Sequence, residues 1–112
     1  MLRYPTTIAT LATSHALEDL RVLLGTLELF NPNPPTVYLF CDAAVASAAL
    51  KYGGKLHLKD ALSEYSNYDR RQMEGMDGKE FKTLWMDFMT EKINLLRWAL
   101  ADSGSDVLFC DA

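Results

Sequence analysis

The chain has 112 residues, of which 49% are hydrophobic and 23% charged, a composition that fits one globular domain and excludes a disordered or fibrous chain. Lys and Arg number 11 against 15 Asp and Glu, and the net charge of −4 argues against sequence-blind nucleic-acid binding, which needs a basic face. No apolar run nears the roughly 18 residues that span a bilayer, and the start, Met1 to Thr6, lacks a secretory signal pattern. Two cysteines, Cys41 and Cys110, make neither a disulfide framework nor a zinc motif, so a cytoplasmic setting is expected.

Thr7 to Ala12 is β-branched and apolar, which predicts a buried strand. Ser14 then offers an N-cap to a helix whose Leu17, Leu20, Leu24 and Leu27 share one face, and Asn31-Pro32-Asn33-Pro34-Pro35 stops it. Thr36 to Cys41 is a second strand ending at Asp42. Ala43 to Tyr52 is Ala-rich and helical, closed by Gly53-Gly54. Lys55 to Leu58 alternates polar and apolar residues, as a short strand near a sheet edge does.

Lys59 to Gly78 is polar and is expected to be a long loop with one helical turn. Its Tyr65, Tyr68, Arg70 and Arg71 either fold over a phosphate or sugar or form a solvated charge pair. Met73, Met76, Met86 and Met89 are assigned to packing. Lys79 to Ala101 is the longest helix, ended by Ser103-Gly104-Ser105, and Asp106 to Cys110 is a fourth strand. This alternation predicts an α/β fold, a Rossmann-like, mostly parallel sheet of about four strands with flanking helices. Leu-Phe-Cys-Asp-Ala occurs at 39–43 and again at 108–112, which puts an aspartate at the carboxyl end of two strands, where open α/β sheets bind ligands.

At 100° per residue Phe81, Leu84, Trp85, Phe88, Leu95, Leu96 and Ala99 form one helical stripe, and Lys92 falls near its middle. An ammonium on a core-facing stripe must snorkel to water or meet an anion. From Lys92 the helix runs about 14 Å to Ala101, and the strand from Asp106 to Asp111 returns about 17 Å. Lys92 should therefore lie level with Asp111, either as a plain salt bridge or as part of a phosphate or metal site. Thr13 and Ser14 have two readings, capping or ligand binding, as has Asp42. His15 is expected at the surface, and His57 has no partner in the pattern.

On Thr10 to Ser14, and on Met89 to Leu100 leading into Asp106-Val107-Leu108-Phe109-Cys110-Asp111-Ala112, the chain resembles the N-terminal half of a GT-A-fold glycosyltransferase of the nucleotide-diphospho-sugar transferase superfamily. The resemblance spans residues 1–112 as a single partial nucleotide-sugar-binding domain, cut within the Asp-x-Asp motif at Asp111-Ala112. It implies a nucleotide-diphosphate sugar bound by Thr13, Ser14, Asp42, Lys92 and Asp111, with Asp111 holding Mn²⁺ or Mg²⁺. It also implies glycosyl transfer to an acceptor recognised by residues outside this sequence, so the isolated chain is expected to be inactive. A strand order three-two-one-four would leave the fourth strand at an edge, open to self-association. The competing reading is a small non-catalytic α/β nucleotide-binding or assembly module. The turn Ala12-Thr13-Ser14-His15 carries neither GxGxxG nor a P-loop, which disfavours dinucleotide and ATPase readings.

Overall fold

A computed structural model describes residues 7–65 and 75–111. Four strands, β1 (Thr7–Ala12), β2 (Val37–Cys41), β3 (Leu56–Asp60) and β4 (Val107–Phe109), form one sheet in the order β3-β2-β1-β4. Every pairing is parallel. Among the described residues three α-helices flank the sheet: α1 (Leu17–Phe30), α2 (Ala43–Ala49) and α3 (Gly78–Ser103). The α/β class, the strand order and β3 at an edge agree with the sequence expectation.

β1 and β2 are buried along their whole length, as strands covered on both faces must be. Their alternation divides the core. Ile8, Ala12, Val37, Leu39 and Cys41 pack with Leu20 and Leu24 of α1 and Val45 and Ala49 of α2. Ala9, Leu11, Tyr38 and Phe40 face the other way and meet Leu95 and Ala99 of α3. The Leu17, Leu20, Leu24, Leu27 stripe of α1 is thus the inward face that its spacing predicts.

Four local readings need correction. Ser14 does not cap α1: it opens a short 3-10 turn, Ser14–Ala16, and α1 starts at Leu17 without a side-chain cap. α2 stops at Ala49, before Tyr52, whose buried hydroxyl donates to the Pro35 carbonyl at 2.6 Å. Tyr65 is no surface lid residue. It lies buried in a 3-10 turn, Ser63–Tyr65, with its ring edge-on to Phe88 at 5.3 Å. The α3 stripe is core only toward its carboxyl end, where Leu95 and Ala99 are fully buried; Phe81 and Trp85 are exposed. The cause is length, because 26 helical residues extend about 39 Å and outrun strands of three to six residues. Tyr68, Arg70, Arg71 and Met73 lie outside the described residues.

Candidate functional site at the carboxyl edge of the sheet

The chain leaves β1 toward β2 over one face and reaches β4 over the other, so the strand order reverses between β1 and β4. A crevice at the carboxyl end of such a switch point is where open α/β sheets bind ligands. The residues singled out in the sequence lie along this carboxyl edge, in two separate contacts, Ser14 with Asp42 and Lys92 with Asp111. Thr13 and Ser14 form the turn that leaves β1, Asp42 ends β2 on one side, and Asp111 follows β4 on the other.

Asp42 is 3% exposed, and both its oxygens are engaged by main-chain amides. Oδ1 accepts from Val45 N at 3.1 Å, capping α2, and Oδ2 accepts from Ser14 N at 2.7 Å. The carboxylate therefore ties the β1 turn to the start of α2. Of its two sequence readings, capping is the one made in full; its contribution to a ligand site is to hold the Thr13–Ser14 turn.

Lys92 and Asp111 do meet. Lys92 Nζ is 3.5 Å from Asp111 Oδ1, with the lysine side chain 25% exposed and the aspartate 79%. The ammonium also stands 5.2 Å from the centroid of Phe109 in β4. It rises from the core-facing stripe along an aromatic face and ends in solvent beside an anion, which resolves its apparent misplacement. An ion pair this exposed contributes at most about 1 kcal/mol, so its opening by a ligand is cheap.

The repeated pentapeptide sits in two environments. Leu39 aligns with Thr10, whereas Leu108 aligns with Ile8, so the second copy is set back by two residues, about 7 Å. Leu39 and Asp42 are buried in the centre of the sheet, while Leu108 and Asp111 are exposed at its edge. Asp111 is the carboxylate open to a ligand. It offers the hard oxygen that Mg²⁺ or Mn²⁺ takes, but one carboxylate holds such an ion only with further oxygens supplied by a phosphate. Among the described residues no group of three or more His, Cys, Asp and Glu stands ready to bind a metal.

A second constellation, at the opposite edge, escaped the sequence reading. A cleft of about 400 Å³ is lined by Tyr38, His57, Asp102 and Ser105 among others. The Tyr38 hydroxyl donates to Asp102 Oδ2 at 2.5 Å, and burial, reinforced by that carboxylate, pushes its pKa up to about 12. His57, which had no expected partner, stacks on the Tyr38 ring at 4.6 Å. Trp98 stands edge-on to Tyr38 at 4.9 Å and lies under the Lys59 ammonium at 4.3 Å. The missed signal was Trp98 itself, since a Trp beside the predicted stripe widens the face that α3 buries.

The described helices include none long and apolar enough to cross a membrane. The chain matches no protein-family profile, no curated protein and no solved structure.

Proposed function

We propose that the carboxyl edge of the sheet binds a nucleotide-diphosphate sugar, and that the chain is the donor-binding part of a glycosyltransferase. The observation that carries this reading is the Lys92–Asp111 pair at the β1/β4 switch point, on the far side of β1 from the Asp42-anchored Thr13–Ser14 turn. The hydroxyl groups of Thr13 and Ser14 meet the nucleoside, the Ser14 amide being held by Asp42. Lys92 turns from Asp111 to the diphosphate. When the anomeric C–O bond breaks, its electron pair goes to the departing diphosphate, and the ammonium offsets that charge. Asp111 would hold a divalent cation together with the oxygens of the diphosphate, and the cation would supply further neutralisation of the leaving group. The same reading sets the chain in the reducing cytoplasm, in keeping with the two free cysteines.

The competing reading, a binding or assembly module without chemistry, rests on the same 3.5 Å contact taken as a salt bridge and nothing more. Calorimetric titration with nucleoside diphosphates and MnCl2 separates the two. The donor-site reading expects manganese-dependent binding that weakens about tenfold or more in Lys92→Met and in Asp111→Asn, since each change costs at least about 1.4 kcal/mol of phosphate or metal contact. Absence of binding overturns it, as does binding that both variants leave unchanged.

A further inference from the structure

On its α3 face the sheet begins with a polar row. Val37 N donates to the Lys55 carbonyl and Ile8 N to the Thr36 carbonyl, each at 2.9 Å, so Lys55, Thr36 and Thr7 stand side by side where β3, β2 and β1 start. His57 and Tyr38, paired in register and stacked, follow in the next row. With Asp102, Ser103 and Ser105 at the end of α3 they enclose the cleft of about 400 Å³ at the amino edge. The five residues of β2 set this cleft about 17 Å from the carboxyl edge.

Two opposite charges line the cleft, and neither is neutralised. Among the described residues the Lys55 ammonium has no ionic or hydrogen-bond partner, and Asp102 has the Tyr38 hydroxyl on Oδ2 and nothing on Oδ1. Asp102 is also set against the helix that carries it. It lies in the last turn of α3, at the negative pole of the dipole, and no basic residue shares that turn. Tyr38 gives it one neutral donor, so this corner still calls for a cation. The opposite corner, an ammonium with the Thr36 hydroxyl beside it, calls for an anion. Of the other charged residues near these positions, Lys59 sits over Trp98, and Asp60, Arg97 and Asp106 are not part of the lining.

We propose that this cleft binds a small zwitterion of the free amino acid class, its ammonium on Asp102 Oδ1 and its carboxylate on Lys55 and the Thr36 hydroxyl. A simple anion would meet Asp102 as well as Lys55, and a simple cation would meet Lys55 as well as Asp102. A ligand carrying both charges gains at both corners, through hydrogen bonds that are ionic and therefore stronger than neutral ones. The volume lies in the range of small-molecule sites and leaves room for a side chain. Both ionic contacts stay open to water, which weakens them and sets the expected affinity near millimolar.

This site does not depend on the sugar-nucleotide reading and is tested without nucleotide or metal. Titration of the ¹⁵N-labelled 112-residue chain with L-serine, followed by amide NMR, should give saturable shifts at Thr36, His57, Asp102 and Ser103 with a Kd on the order of 1 mM. Ethanolamine, which lacks the carboxylate, and glycerate, which has a hydroxyl in place of the ammonium, should each bind at least about tenfold more weakly. Asp102→Asn keeps an oxygen for the Tyr38 hydroxyl, and Lys55→Met keeps the length of an exposed side chain. Each should weaken L-serine about tenfold while the urea midpoint stays close to that of the parent. The proposal is overturned by shifts that do not saturate, by shifts confined to Thr13, Lys92 and Asp111 at the carboxyl edge, by ethanolamine or glycerate binding as well as L-serine, or by binding that either variant leaves unchanged.

Discussion

Thr10 lies within β1 between the apolar side chains Leu11 and Ala9 in sequence and beside Leu39 across the sheet, fully buried. Among the described residues its Oγ1 is the one buried side-chain oxygen or nitrogen without a hydrogen-bond partner. A hydroxyl taken from water with nothing in exchange costs about 1–3 kcal/mol, and valine has the same branched shape without it. Thr10→Val should therefore stabilise the chain by about 1 kcal/mol, read as a higher urea midpoint with an unchanged slope. A lower midpoint would mean that the hydroxyl has a partner. Asp42 shows the opposite economy of burial. Its charge is tolerated because two amides point at it, and in the sequence that position looked the same as Asp111, the equivalent residue of the second pentapeptide.

At the scale of elements, α3 is held to the sheet chiefly through its carboxyl half. Trp98 packs on β2 there, edge-on to Tyr38 and stacked on Phe40 at 5.7 Å, and meets the Lys59 ammonium of β3. Trp98→Ala should cost about 3 kcal/mol, the lower end for a large aromatic because its side chain is only partly buried. Phe81→Ala, on the overhanging half, should cost well under 1 kcal/mol, and equal losses at the two positions in thermal melts would refute this division. The strands, the order of elements and the face of α1 were legible because buried parallel strands and an amphipathic helix write their environment into adjacent residues. The Lys92–Asp111 meeting was legible too, since helix rise and strand rise fix relative height. What stayed hidden depends on where an element ends against its neighbours. The exposure of Trp85, the burial of Tyr65 and the Tyr38–Asp102 bond all follow from the offset of α3 along the sheet, which no local pattern encodes.

The whole molecule places acidic protons on both sides of its sheet. Tyr52 is packed in the α1/α2 layer, Tyr38 and Tyr65 in the α3 layer, and burial is the main cause that pushes each hydroxyl up to about 12 from 10. Neighbouring carboxylates add to it: Asp102 at Tyr38, Glu28 at Tyr52 and Glu64 at Tyr65. The Cys41 thiol, buried and facing Asp60 and Asp42, is raised from 9 to about 11. All four groups keep their protons longer in the folded chain than in the unfolded one. Their stabilisation is complete below pH 9, declines as the unfolded thiol and phenols begin to ionise, and is gone once pH passes the folded values near 11 and 12. Each group removes up to about 1.4 kcal/mol per pH unit over its window. The three phenols act in the same direction above pH 10, so stability falls there as pH rises. Tyrosinate absorbance from these three rings should therefore rise together with the loss of helical circular dichroism, in one cooperative step. Tyr38→Phe and Tyr52→Phe should each flatten the fall of stability with pH by about a third, the two substitutions reporting on opposite layers of one folding unit. Phenols that ionise well before the helices melt would show that water reaches them in the native state, and that the two layers do not close the sheet as tightly as the packing requires.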